Sequence, residues 1–292
     1  MPDPVQRAVA SAENGAQSGA GEQRFFTRFT SAQRYMHGVL FSTFLGLAAT
    51  GLPMRFSQSF WARKFASAVG GFGAIIFFHK LCALVLTVAF LIHLKDIFTR
   101  GVLHREKGIF WGPNSMVANW KDVKDLVGHM RWFVGLGKRP TFGRYAYWEK
   151  FDYWAVFWGM LIIGFSGYAM WFAPFFARFL PGWALNAVLV IHSEEGLLAI
   201  LFIFSIHFVN THLRPDTFPM DMVIFTGVES EEEFKHKRPE EFEKLANEGK
   251  LESRIGPAPA TWWINFARVI GFTAILIGLT LLVLTLSAYI RE

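Results

Sequence analysis

Six of the nine histidines in this 292-residue chain fall within or at the ends of long apolar stretches: His37, His79, His93, His192, His207 and His212. Imidazole is costly in hydrocarbon unless it is used, and an ionisable group in such a setting marks function by default. Spacing suggests the use. His79 and His93 bracket "HKLCALVLTVAFLIH", and His192 and His207 bracket "HSEEGLLAILFIFSIH". On a helix, fourteen residues rise about 21 Å and return to within about 40° of the starting direction, and fifteen rise about 22 Å and turn about 60°. Two such helices running the same way set His79 level with His192, and His93 level with His207. Haem iron accepts imidazole from both sides, and its macrocycle is apolar enough to lie between helices. Zinc would need further ligands, and only Glu194 and Glu195 lie near. A proton relay could use histidines but does not require matched depths.

The inner level holds more candidates than one haem needs. His37 lies in "RYMHG" at the same depth as His93 and His207, and His212 follows His207 by five residues, pointing about 140° away. Four inner histidines fit one haem with two to spare, or two haems. The total is therefore two b haems, with a third left open. The other three histidines, His104, His129 and His236, read as solvated or interfacial loop side chains.

The elements that must hold these residues are membrane helices. The composition is 52% hydrophobic and 17% aromatic. Five stretches reach the roughly 20 apolar residues a bilayer demands: 34–56, 73–95, 151–173, 186–211 and 262–289. The expected fold is all-α: an integral membrane helical bundle of five transmembrane helices with a four-helix haem-binding core. Residues 1–30 read as a disordered tail without a cleavable signal. Residues 31–228 form the core, including a long loop over 96–150. Residues 229–261 form a charged loop, and 262–292 the fifth span. Within the long loop, 115–135 alternates apolar and charged residues at helical spacing, as an interfacial helix would. The run 229–254 reads as a solvated helix or helix pair.

Lysine and arginine concentrate in the tail, the second loop and the fourth loop, which share one side. That side is expected to be the cytoplasm, so the chain is a multi-pass membrane protein with its N-terminus inside and its C-terminus outside. The formal charge of +6 follows from this bias and gives no argument for nucleic acid. The single cysteine, Cys82, excludes an intrachain disulfide and a thiolate cluster. No C-x-x-C-H run is present for covalent haem attachment. Small residues at Gly38, Gly46, Gly51, Gly159, Gly164 and Gly167 permit close approach of helices or flat groups.

The chain resembles the prokaryotic di-haem cytochrome b superfamily, which includes the formate dehydrogenase gamma subunit and the cytochrome b subunits of nickel–iron hydrogenase and thiosulfate reductase. The likeness spans roughly 30–228. It rests on "RYMHG" with "TGLP", on "HKLCALVLTVAFLIH", on "YWEKFDYWAVFWGMLIIGFSGYAMWF", and on "IHSEEGLLAILFIFSIHFVNTHLRPDTFPMDMVIFTG", in that order. The formate dehydrogenase pattern implies an outer haem on His79 and His192 and an inner haem on His37 and His207. Spacing alone instead gives His93 as the partner of His207. The fifth span and the charged fourth loop depart from the four-span pattern.

Such a resemblance implies an electron-transfer subunit that works between quinone (or menaquinone), as substrate, and a redox partner. The partner would be a multihaem c-type cytochrome, an iron–sulfur subunit, or a molybdopterin or hydrogenase subunit. A quinone site needs a titratable group beside a haem. Glu194 and Glu195 stand at the outer level, Glu149 and Asp152 at the inner level, and Asp221 lies in "FPMD"; each is a candidate proton acceptor, with an interfacial helix cap the reading that usual N-terminal preferences favour. Lys80, Arg34, Lys95, Arg144 and Arg214 are candidate partners for haem propionates. Two other readings remain: a stand-alone membrane haem oxidoreductase acting on a small oxidant, and a proton-coupled transporter.

Overall fold

The computed structural model describes residues 23–291, and the expected tail up to residue 22 lies outside them. Five helices are long and apolar enough to cross a membrane: Ser31–Arg55, Phe72–Leu103, Tyr147–Trp171, Gly182–Leu213 and Thr261–Ile290. They are called the first to fifth spans. The first span begins where Thr30 and Gln33 satisfy each other's backbone: the Thr30 hydroxyl accepts from the Gln33 N–H, and the Gln33 carbonyl accepts from the Thr30 N–H at 2.9 Å. The sequence places each span within a few residues, except that the second runs on to Leu103. Its last turn, Thr99–Leu103, is a π-turn, as are Met160–Gly164, Ile203–His207 and Val209–Leu213. Single π-turns inside α-helices gather at functional positions, and three of these bear on the histidines.

The first four spans form a ring. The first packs along the second and touches the fourth, the fourth packs along the third, and the second meets the third at its π-turn. The fifth lies outside, against the first and fourth. Gly46 marks the tightest approach of the first two spans, since a Cβ there would stand 2.6 Å from Cys82 Sγ. Large side chains fill the seam between the first, fourth and fifth spans: Leu52, Phe56, Phe204, Phe208, Ile275 and Leu281. The packed core is thus displaced to one side, and the inside of the ring is left to a cavity. At Gly278 a Cβ would come within 2.8 Å of both Phe204 and Phe208. Gly278→Ala is therefore expected to cost about 1–3 kcal/mol by overpacking, read as a lower midpoint of thermal unfolding in detergent.

At the basic end the fold differs from an all-α expectation. A three-stranded antiparallel sheet sits there, with β1 (Phe25–Thr27) between β2 (Val228–Ser230) and β3 (Ile255–Gly256). So residues 25–30, expected in a disordered tail, are ordered by pairing with the fourth loop. The charged run 229–254 does form two helices, Glu231–Lys237 and Pro239–Asn247. They are not merely solvated: Phe26, Phe234 and Leu245 make a small core beneath them. Three apolar side chains among so many charges gave little signal.

The same cap buries ion pairs. Arg28 holds Glu149 at 2.9 Å and approaches Glu241 at 3.6 Å, Arg144 holds Glu241 at 2.8 Å, and Arg238 contacts Glu229. All but Glu149 have side chains at most 12% exposed. The expected interfacial helix is Trp120–Phe133, opened by a capping box of Asn119 and Asp122. Buried Lys150, on the third span, donates to Asp122 at 2.8 Å and pins this helix down. His129, expected to be solvated, is instead 6% exposed and stacked on Phe133 at 4.9 Å, among Phe142, Tyr147 and Trp148. Burial first, then Arg139 and Arg214, hold its pKa below the usual histidine range. His104 and His236 are exposed, as expected.

Candidate functional site

A cavity of about 2790 Å³ occupies the inside of the ring, and all six span histidines line it. Small-molecule pockets hold roughly 300–1,000 Å³, so this one has the volume of several such ligands. Its walls are mostly apolar side chains of the first four spans, among them Phe44, Ala48, Phe90, Phe157, Gly164 and Leu197.

His79 and His192 face each other across it at the end away from the basic loops. Their ring centroids are 6.2 Å apart and their planes cross at 73°. Two metal–imidazole bonds of about 2 Å plus the half-widths of two rings come to roughly 6 Å. The outer nitrogen of each ring is already committed. The Thr50 hydroxyl donates to the Gly46 carbonyl at 2.6 Å, so it accepts from His79 Nδ1–H at 2.9 Å. His192 Nδ1–H donates to the Ile163 carbonyl at 2.9 Å, with Ser166 Oγ at 3.2 Å. A carbonyl can only accept, so this fixes the tautomer. Ile163 lies in the π-turn Met160–Gly164, which positions its carbonyl toward the ring. Both histidines therefore keep Nε2 as a bare lone pair. An imidazole held through Nδ1 and free at Nε2 is the usual state of a metal-binding histidine. Gly51 and Gly167 lie against the two rings, where a Cβ would come within 3.4 Å and 3.0 Å of them.

The basic end brings together His37, His207 and His212. His207 and His212 have ring centroids 6.3 Å apart, and His37 lines the cavity with them. His207, on the π-turn Ile203–His207, donates from Nδ1 to Asp152 Oδ2 at 2.8 Å. Its Nε2 is left free in the same way. His212 Nδ1 is buried without a hydrogen-bond partner. His93 stands apart. Its Nε2 hydrogen-bonds the Tyr153 hydroxyl at 3.0 Å, and its ring packs on Tyr153 and Phe157. Both partners open for His207, His37 and His93, line the cavity with it, and His93 has Tyr153 as its hydrogen-bond neighbour. Among the described residues no group of three or more His, Cys, Asp and Glu side chains is arranged to hold a metal ion on protein ligands alone.

The acidic candidates separate clearly. Glu149 is tied to Arg28 and to the Ala146 N–H at the start of the third span, which makes it a cap. Glu194 pairs with Arg55 at 2.6 Å. Glu195 accepts from Trp158 Nε1 at 3.3 Å and lines the cavity. Asp221 accepts from the Val223 N–H and pairs with Lys237. Asp152 is bound to His207, and its second oxygen is buried with no partner.

The cations also divide. Arg34 donates to the Phe225 carbonyl, and Arg144 serves the ion-pair cap. Lys80 lines the cavity and lies over Trp171, 5.0 Å from its centroid. Arg214 lines it at the basic end, stacked on Trp148 with its buried Nε unpartnered. These two remain available to an anionic group at the cavity rim.

Sequence reasoning missed Thr50, Ile163 and Ser166 as partners of the outer histidines, and Tyr153 as the partner of His93. A hydroxyl at the depth of a histidine on a neighbouring span was the available signal for Thr50 and Ser166. A backbone carbonyl freed by a π-turn leaves none. No family model matches this chain, and no curated protein matches it.

Proposed function

We propose that this chain is the cytochrome b subunit of a respiratory redox complex in a bacterial inner membrane. It carries electrons through two stacked b haems between the quinone pool and a partner redox subunit. The His79–His192 pair is the observation that supports this reading most. Two rings on parallel spans, each fixed through Nδ1 and bare at Nε2, match a bis-imidazole site in spacing and in tautomer. Bound in such pairs, haem iron supplies a one-electron couple at each of two depths.

The chain's own residues do the remaining work. Thr50 and Ile163 orient the outer imidazoles. The mostly apolar walls of the first four spans offer a flat macrocycle an apolar surround. Lys80 at one end and Arg214 at the other offer charge to carboxylates at the rim. We assign the inner site to His37 and His207, leaving His93 and His212 outside the iron ligands. The likeness to the di-haem cytochrome b superfamily favours the same pairing. The loops rich in lysine and arginine favour an N-terminus in the cytoplasm. Glu195 and the His93–Tyr153 pair are the polar groups on the cavity wall suited to hold a quinone and exchange its protons.

The test is a reduced-minus-oxidised spectrum of the purified chain with a count of haem per chain. Two b-type haems are expected; a preparation without a b-type α-band sinks the reading. His37→Ala should remove the inner haem, and His93→Ala should leave both. Co-purification of redox subunits separates this role from a stand-alone oxidoreductase. Thr50→Val, which strips His79 Nδ1 of its acceptor, is expected to weaken haem retention about 10–100-fold. That loss is measured by transfer of haem to an apo-globin acceptor.

A further inference from the structure

We infer that Asp152 is a positioning residue that makes the inner haem the lower-potential member of the pair. This rests on the haem reading above and concerns a residue that the reading leaves idle.

The two sites differ in what stands behind their imidazoles. At the outer site both Nδ1–H groups donate to neutral oxygens, the Thr50 hydroxyl and the Ile163 carbonyl. At the inner site His207 Nδ1–H donates at 2.8 Å to the carboxylate of Asp152. A carboxylate behind a ligating histidine raises its basicity and favours the higher charge state of the metal. The setting strengthens the effect. The Asp152 side chain is 14% exposed and that of His207 is 21% exposed. The second carboxylate oxygen is buried with no hydrogen-bond partner. The nearby lysine on the same helix, Lys150, is engaged with Asp122. No cation pairs with Asp152 among the described ion pairs, so its charge reaches the inner site undiminished.

Only an electron moves in the step concerned. A haem held by His207 would supply a one-electron couple, and the Nδ1 proton would stay between His207 and Asp152 as the charge changed. The negative charge opposes gain of that electron. With a carboxylate behind His207 and neutral oxygens behind His79 and His192, an electron would favour the outer level.

The experiment is a potentiometric titration of the purified, haem-loaded chain, followed at the α-band, on wild type, Asp152→Asn and Asp152→Glu. Two separated one-electron waves are expected in wild type, with the lower assigned to the inner site by its loss in His37→Ala. Asp152→Asn should favour reduction of the inner haem by about tenfold, which is about 59 mV for one electron, and leave the outer wave in place. Asp152→Glu should keep the low wave. If Asp152→Asn fails to retain the inner haem, near-infrared magnetic circular dichroism of the wild type carries the test. Its ferric charge-transfer bands should resolve one imidazole pair with more imidazolate character than the other. An unmoved inner wave in a fully loaded Asp152→Asn protein, or identical bands from both sites, overturns the inference and leaves the haem reading standing. Absence of haem from the wild type overturns that reading itself.

Discussion

His79→Ala is expected to lower the haem content from two per chain to one, with the surviving haem keeping its inner-site potential. His192→Ala should give the same result, and the double variant should lose nothing more. The two imidazoles act as one unit, so their effects do not add. The reason is geometric: the rings stand 6.2 Å apart on different spans, and each is fixed by its own acceptor. A single remaining imidazole has no second histidine at that depth to replace its partner, because the other four lie at the basic end. Quinol-dependent electron transfer to an acceptor on the far side should then be abolished, since one of two depths is lost. A pyridine haemochrome assay with a redox titration reads both effects. Retention of two haems in His79→Ala would show that the pair does not hold iron.

The second large effect concerns the cap. Glu241→Ala is expected to destabilise the cap by about 3–5 kcal/mol, the usual cost of stranding buried charge. Glu241 is 6% exposed and lies against Arg28, Arg144 and Arg238. Its loss leaves one charge too many on the arginine side, away from water. The damage should be local, because the seam between the first, fourth and fifth spans does not depend on it. Limited proteolysis should therefore cut within 229–256 in Glu241→Ala while haem content holds. Replacing Arg144 by Met together with Glu241 by Gln removes both signs and should restore much of the resistance. Cleavage at the wild-type rate in Glu241→Ala would argue that the cap is held by its apolar contacts alone.

Much of the ring was legible because hydropathy and helical rise are simple arithmetic. Five apolar runs gave five long helices, and the same running direction of the second and fourth spans set His79 level with His192. The inner level was less legible. Spacing along one helix fixes depth and rotation but not which neighbour a side chain meets, and it gave no sign of Tyr153 beside His93. The π-turn at Ile203–His207 widens the helix where the rotation count was made. Even modest widening shifts a side chain's direction. The cap was hidden for a different reason. Strand β1 is three residues long, its partners lie some two hundred residues away, and its helices are mostly charged. Such elements exist through pairing across the sequence, which no local window registers.

The central place of β1 in its sheet carries a consequence for biogenesis. Residues 25–27 leave the ribosome before any span, yet both edges they need, 228–230 and 255–256, are made only after four spans have threaded the bilayer. Pairing is possible only when an even number of crossings separates them. A nascent chain that skipped or inverted one insertion would leave the early strand stranded across the lipid from its mates, with Arg28 parted from Glu241. Closure of this little sheet thus reports that threading was completed correctly, and a misthreaded chain would stay open there to quality-control proteases.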